Sequence, residues 1–295
     1  MEHELEKILT CPVCEKKSQK KHIEGLDHNV SGKKFTITEC MKCGFRFTNP
    51  RPKEEYIYKY YQSKNYISHS STKKGLINKV YHQVRYYQFY NKKKIIEQSA
   101  KIEKGKILDI GCGTGDFLKH MVSAGWVADG IETDKGARSV AEKKLGKELK
   151  ENLALLKVED KYDVITMWHV LEHVYDVKKY LKSVCKMLKK GGVLLVGVPN
   201  CESYDAKKYK ESWIAYDLPI HLSHFRKKDI VKLSKKCNFK IKDIKPLFFD
   251  AYYISMLSSR KAGSSSLLGF LHGFISNLKA KKSGEYSSLM YLLIK

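Results

Sequence analysis

The sequence predicts an α/β chain built on a mostly parallel sheet with helices on both faces. Three observations lead there. Between about residues 105 and 250, short apolar runs alternate with stretches of helical periodicity, the rhythm of βα units. The run Ile107-Leu108-Asp109-Ile110 enters a turn with glycine at alternate positions, Gly111, Gly113 and Gly115, and a helical pattern starts directly after it at Phe117. Strand, glycine turn and helix start together form the place where such sheets hold a ligand against backbone. The chain has 295 residues, 42% of them apolar, which is enough for a sizeable core.

The elements follow in chain order. Residues 1–50 read as a zinc-ribbon-like segment. Cys11-Pro12-Val13-Cys14 and Cys40-Met41-Lys42-Cys43-Gly44 are two CxxC knuckles with 25 residues between them. Their four thiolates suit a tetrahedral Zn²⁺ in a structural role, since a four-thiolate site leaves no coordination position open for chemistry. Lys34 to Thr38 alternates like a strand, and Phe45-Arg46-Phe47 is placed to pair with it. Residues 51–104 read as a linker and an aromatic helical lid. Asn49-Pro50-Arg51-Pro52 makes the turn, and the tyrosines Tyr56, Tyr58, Tyr60, Tyr61 and Tyr66 follow. A helix from about Leu76 to Gln98 presents Leu76, Ile77, Val80, Tyr81, Val84, Tyr87 and Tyr90 or Asn91 on one face. These aromatics either pack against the main domain or cover a cationic ligand, the role assigned to Tyr66 and His69.

Residues 105–295 form the main domain. Its strands are Lys106 to Ile110, Trp126 to Ile131, a weak third at Leu153 to Val158, Tyr162 to Met167 and Val193 to Val198. Helices fall at about Gly136 to Leu145 and at Val177 to Lys189, the latter ended by Gly191-Gly192. A helix over Lys227 to Lys236, a sixth strand over Phe239 to Phe249 and a seventh over Leu289 to Ile294 complete the pattern, with a helical insertion at about 252–286. Within it, Leu267, Leu268, Phe270, Leu271, Phe274, Ile275 and Leu278 make an apolar stripe trailed by Lys279, Lys281 and Lys282. A basic amphipathic helix over 264–282 either packs on the domain, caps a greasy substrate or touches a membrane surface peripherally.

The chemistry of the turn narrows its ligand. The spacing is D-x-G-x-G-x-G, and Asp116 stands where a dinucleotide fingerprint would have its last glycine. Asp109 would face a pyrophosphate with like charge, whereas it suits a ligand ammonium. Glu132, 23 residues after Asp109, ends the second strand, where a carboxylate accepts both hydroxyls of a ribose. An amino acid joined to a nucleoside meets these demands, which describes S-adenosylmethionine.

With those residues the domain resembles a class I S-adenosylmethionine-dependent methyltransferase. The resemblance rests on Ile107 to Gly115, Gly130-Ile131-Glu132, Tyr162 to Val174, and Leu188 to Asn200, about 95 residues in order. With its cysteine knuckles the whole chain resembles a bacterial group of largely unassigned substrate. The resemblance implies a Rossmann-like, doubly wound seven-stranded sheet of order 3-2-1-4-5-7-6 with the last strand antiparallel. It implies that Gly111, Cys112, Gly113 and Gly115 line the methionine part of the cofactor, that Asp109 lies near its ammonium, and that Glu132 with Thr133 takes the ribose. Trp168 and His169 then lie near the sulfonium and the acceptor, and Tyr66 joins the cofactor set from the lid.

His169-Val170-Leu171-Glu172-His173 also matches the H-x-x-E-H pattern of a zinc peptidase. Because it follows a buried strand beside a cofactor turn, Glu172 and His173 are read as structural. For the acceptor side, the stretch Trp213 to Phe225 follows the fifth strand. His221 is expected as general base, with Asp217 orienting it and His224 as the alternate. The alternative for these residues is anchorage of the loop to the next helix.

The expected function is transfer of a methyl group to a hydroxyl of a small molecule or a glycan or lipid precursor, by an in-line displacement dominated by positioning. The net charge of +24 invites RNA as an alternative acceptor, although only six basic residues are Arg. A non-catalytic protein that binds S-adenosylmethionine and zinc is the other alternative. Eight cysteines, four of them in knuckles, no apolar run of 18 residues and a polar, acidic N-terminus point to the reducing cytoplasm. Oligomeric state is not written in the pattern.

Overall fold

The computed structural model describes residues 2–61, 76–155 and 158–295. Tyr66 and His69 lie outside the described residues. The chain divides into two compact units, one of Met1–Tyr66, His169–Lys182 and Gly197–Tyr291, the other of Ile67–Trp168, Ser183–Val196 and Leu292–Lys295.

The N-terminal strands are β1 (Leu5–Glu6), β2 (Gln19–Leu26), β3 (Lys34–Cys40), β4 (Arg46–Thr48) and β5 (Arg51–Pro52). As the alternation around Phe35 and Ile37 predicts, β3 pairs antiparallel with β4, with Thr38 opposite Phe47. Inward-facing Phe35, Ile37 and Phe47 are buried. The expected linker is tied down: β5 pairs with β1, and Tyr60 is buried edge-on against Phe35 at 5.7 Å.

Helix α1 (Leu76–Ala100) leads to β6 (Lys106–Ile110), α2 (Asp116–Ser123), β7 (Val127–Ile131), α3 (Lys135–Leu145) and β8 (Tyr162–Trp168). These match the predicted elements closely because each strand is a short β-branched run and each helix has a defined start. Asp134 caps α3 by accepting from the Ala137 N–H at 2.7 Å. In α1 the side chains of Leu76, Ile77, Val80, Tyr81 and Val84 lie outside the described residues; of the rest of the expected face Tyr87 and Tyr90 are exposed, whereas Ile96 is buried and Phe89 meets Phe117 at 5.8 Å.

Next come α4 (Val177–Met187), β9 (Leu188–Pro199), α5 (Tyr204–Tyr209), β10 (Ser223–His224), α6 (Lys227–Lys236), β11 (Lys240–Pro246), α7 (Phe248–Lys261), α8 (Ser266–Ser283) and β12 (Ser288–Ile294). The helix before the fifth strand stops at Met187, short of Gly191-Gly192. The Lys186 and Met187 carbonyls accept from the Asp160 and Lys161 N–H groups, which draws the chain out of the helix early. Phe248 and Phe249 open α7 instead of extending the sixth strand, since Pro246 cannot donate to a ladder.

The main sheet has order β11-β12-β9-β8-β6-β7, and β6 runs parallel to both β7 and β8. Among the described residues this is the expected Rossmann-like order without its third strand, of which Leu156 and Lys157 lie outside them. Leu153–Leu155 is a 3₁₀ turn, and the sheet edge beyond β7 carries a parallel bridge between Ile131 and Lys150. Lys150, Glu151 and Asn152 are polar and exposed, and Leu149 and Leu153 are buried.

The apolar stripe of α8 is turned the opposite way from the packed arrangement weighed above. Leu267, Leu268, Phe270, Leu271, Phe274 and Leu278 are exposed, and the buried face is made of Gly269, Gly273, Ser276, Asn277 and Ala280. Small residues four apart let α8 approach the α7 backbone closely. A Cβ on Gly273 would stand 2.7 Å from the Ala251 carbonyl oxygen and the Tyr252 Cα. No described helix is long and apolar enough to cross a membrane. Gly273→Ala should therefore destabilise the protein. About 1–3 kcal/mol of overpacking outweighs about 1 kcal/mol of gained helix propensity, and urea unfolding would read a net loss of up to about 2 kcal/mol.

Candidate active site

The glycine turn sits at the carboxyl end of β6. Gly111, Gly113 and Gly115 have φ of 73°, 54° and 75°, a region that residues with a Cβ rarely adopt. Their reasons differ. A Cβ on Gly115 would meet the Ala141 Cβ at 2.9 Å, so that glycine lets α2 pack on α3. A Cβ on Gly113 would meet nothing within 4 Å, so that glycine leaves backbone open for a ligand to approach. Asp116 opens α2, accepts from the Thr114 hydroxyl at 2.9 Å and pairs with Lys144.

Glu132 is fixed by backbone. Its Oε2 accepts from the Gly113 N–H at 2.8 Å and its Oε1 from the Asp134 N–H at 2.9 Å. Each oxygen keeps a second lone pair for an incoming hydroxyl. The neighbouring Thr133 is exposed and uses its carbonyl to accept from Arg138. Cys112 is buried, with burial pushing its thiol up, so it acts as a small apolar wall. Asp109 is buried beneath the turn and accepts from the Thr166 hydroxyl at 2.6 Å. Burial raises its carboxyl to about 7, helped by the like charge of Glu132 and opposed by Thr166 and Lys92. A buried carboxyl raised in part by a neighbouring carboxylate is a demand for a cation. The same unit carries Trp168 at the end of β8, with the Lys92 ammonium 3.8 Å over its ring and Phe117 edge-on at 6.2 Å. Lys92 and Thr166 were not legible as site residues: a lysine in a lysine-rich helix and a threonine in a strand carry no local signal.

The histidines lie in the other unit. His169 follows Trp168 in the chain, adopts φ 55° and donates its N–H to the Gly197 carbonyl at 2.9 Å. Its side chain is 40% exposed, with Nε2 3.0 Å from Asp250 and Nδ1 3.5 Å from Glu172. Burial lowers the pKa of this ring, and the two carboxylates outweigh that and raise it to about 10. Asp250 comes from α7, within the part of the sequence read as strand and insertion, and only folding reveals it.

The expected His221–Asp217 pair does not form. The Asp217 carboxylate accepts from Asn29 at 3.0 Å, and His221 Nδ1 lies 2.9 Å from the Ala215 carbonyl. His221 is buried, edge-on to His173 with ring centroids 4.6 Å apart. His224 is buried in β10, paired against β4, with its Nε2 3.1 Å from the Thr48 hydroxyl. Burial holds its pKa well below the ordinary value, which fits a structural ring.

Cys11, Cys14, Cys40 and Cys43 come together with all four sulfurs within 4.8 Å of one another. The Cys11–Cys43 and Cys14–Cys40 sulfur pairs are both 3.5 Å apart. A tetrahedron of 2.3 Å zinc–sulfur bonds needs sulfurs roughly 3.8 Å apart, so the donor set fits. Arg226, buried at the start of α6, donates to the Cys43 carbonyl at 2.8 Å and forms a two-toothed pair with Asp229. This contact fastens the second knuckle to the rest of its unit.

The sheet order, the open glycine turn and the paired carboxylates define an S-adenosylmethionine-dependent methyltransferase. A family profile described as a methyltransferase domain matches residues 82–244, more than half of the chain, and the chain belongs to that family. A ubiquinone biosynthesis O-methyltransferase of Pelagibacter ubique is 28% identical over 196 residues, 62% of this chain and 80% of that protein. The protein of the same name from Hydrogenovibrio crunogenus is 33% identical over 105 residues, 33% of this chain and 44% of its own length. Among solved structures, geranyl diphosphate C-methyltransferase of Streptomyces coelicolor superposes with a TM-score of 0.51 at 13% identity, over 76% of this chain and 87% of that one.

Two measurements test the cofactor side. Glu132→Ala should weaken calorimetric binding of S-adenosyl-L-homocysteine by about 100-fold or more, two charge-assisted bonds at about 1.5–3 kcal/mol each. Because Asp109 is a carboxylate only above about 7, affinity should rise by up to about tenfold from about pH 6 to about pH 8, and Asp109→Asn should flatten that profile.

Proposed function

We propose that the protein methylates a hydroxyl oxygen of a small molecule or a glycan or lipid precursor. The observation that carries this reading is His169: an exposed imidazole, held by Asp250 at 3.0 Å, on the residue that follows Trp168 in the chain. A hydroxyl is a poor nucleophile until its proton is drawn off, and an imidazole fixed by a carboxylate is suited to do so. The two relatives named as O-methyltransferases support an oxygen acceptor. The exposed leucines and phenylalanines of α8, trailed by Lys279, Lys281 and Lys282, favour an acceptor with an apolar part, or peripheral contact with the membrane that holds it.

Asp109, Gly113 and Glu132 are the residues we assign to hold the cofactor, which supplies an electrophilic methyl group on a sulfonium. Asp109 answers its ammonium, the open Gly113 backbone admits its methionine part, and Glu132 takes its ribose. Trp168 offers a ring face to positive charge, as it already does to Lys92. His169 draws the proton from the acceptor oxygen when its ring is neutral; because the two carboxylates raise it to about 10, turnover should rise with pH toward that value, and Asp250 keeps the ring in place. We also assign a structural Zn²⁺ to the four cysteines and, because thiolates must stay reduced to hold it, a cytoplasmic setting.

Transfer of tritium from labelled S-adenosylmethionine tests the acceptor class. Label is expected in an organic-soluble or small-molecule fraction of a cell extract as a base-stable ether; label in RNA, or nowhere, would overturn the reading. His169→Ala and Asp250→Asn should each lower kcat by about 10²–10⁴ while calorimetric cofactor affinity stays unchanged. The purified protein should carry about one zinc per chain bound to sulfur, read by metal analysis and X-ray absorption.

A further inference from the structure

The H-x-x-E-H stretch does not fold as a peptidase helix. After His169 turns away through its positive φ, Leu171–His173 forms one 3₁₀ turn. That turn places Glu172 and His173 beside a third residue from far along the chain, His221, and one donor atom of each lies within 4.8 Å of the other two. Glu172 is 1% exposed, and neither of its carboxylate oxygens has a hydrogen-bond partner. Its nearest cationic group in an ion pair is His169 Nδ1 at 3.5 Å. A buried carboxylate with no hydrogen bond is costly, several kcal/mol on any scale for an ion.

In each ring one nitrogen is engaged by backbone. His173 Nδ1 lies 3.1 Å from the Ile220 carbonyl, which only accepts, so that nitrogen carries the proton and Nε2 keeps its lone pair. The Tyr61 hydroxyl lies 3.0 Å from the same Nδ1. His221 Nδ1 lies 2.9 Å from the Ala215 carbonyl, which sets the same tautomer. Backbone carbonyls that fix one ring nitrogen and free the other are the usual outer partners of metal-bound histidine.

We propose that Glu172, His173 and His221 form a second metal site, separate from the four cysteines, for a divalent first-row transition ion. One carboxylate and two imidazoles suit ions of intermediate softness and leave coordination positions open to a small oxygen ligand. Binding at this site does not depend on the acceptor reading above, because it is measured without turnover.

Co²⁺ added to the full-length zinc-loaded protein is the test. One equivalent should be taken up with weak visible d–d bands and without the intense sulfur charge-transfer band that the cysteine site would give. Proton NMR should then show two exchangeable, paramagnetically shifted imidazole N–H signals, from Nδ1–H of His173 and of His221. Glu172→Gln should weaken uptake by at least about tenfold. No uptake, uptake with sulfur charge transfer only, or fewer than two shifted N–H signals in the unaltered protein would overturn the site. Those readouts need no variant, so a variant that fails to fold leaves the decision intact.

Discussion

The grip of Glu132 on the Gly113 N–H is the contact on which the cofactor side depends. It ties the end of one strand to the turn after its neighbour, and it works only because Gly113 adopts a positive φ and carries no side chain. Asp109 is buried directly below, paired to Thr166 of β8. Three adjacent strands therefore meet in one set of polar groups whose net demand is for positive charge. The cost of burying Asp109 is visible in its raised pKa. A ligand ammonium offsets that cost, which couples binding to the protonation of a group no solvent reaches.

The other unit solves a similar problem differently. Its buried polar groups are many, and most are saturated. Asp205 accepts from the Trp213 indole, Ser276 and Ser287, and Arg226 meets Asp229 and Cys43. Against that background the bare carboxylate of Glu172 stands apart. His169 lies between the two carboxylates, with Nε2 3.0 Å from Asp250 and Nδ1 3.5 Å from Glu172. The same turn thus divides its residues, with His169 directed to Asp250 and Glu172 and His173 directed inward.

Comparison of sequence and structure shows where local pattern is informative. The strands Lys106–Ile110 and Tyr162–Trp168 and the helix Lys227–Lys236 were legible because each is a dense run of one periodicity with a clear stop. The third strand was not, because its expected span opens on a 3₁₀ turn at Leu153–Leu155, which a short apolar run does not distinguish from a strand. The α8 stripe misled for a physical reason. Apolar periodicity identifies a helix face but not its direction, and Gly269 and Gly273 allow backbone contact that large side chains would forbid.

The sequence by itself determined the cofactor turn, the paired carboxylates and the cysteine quartet, since these lie within short spans whose spacing constrains their geometry, while the strand order was what the family resemblance implied. Only the tertiary structure decided the partners of the histidines. His169 is joined to Asp250 across 81 residues, and Glu172 and His173 to His221 across nearly 50. Local pattern carries no information about such pairings; they exist because the packing of turns and helices brings distant stretches of chain together.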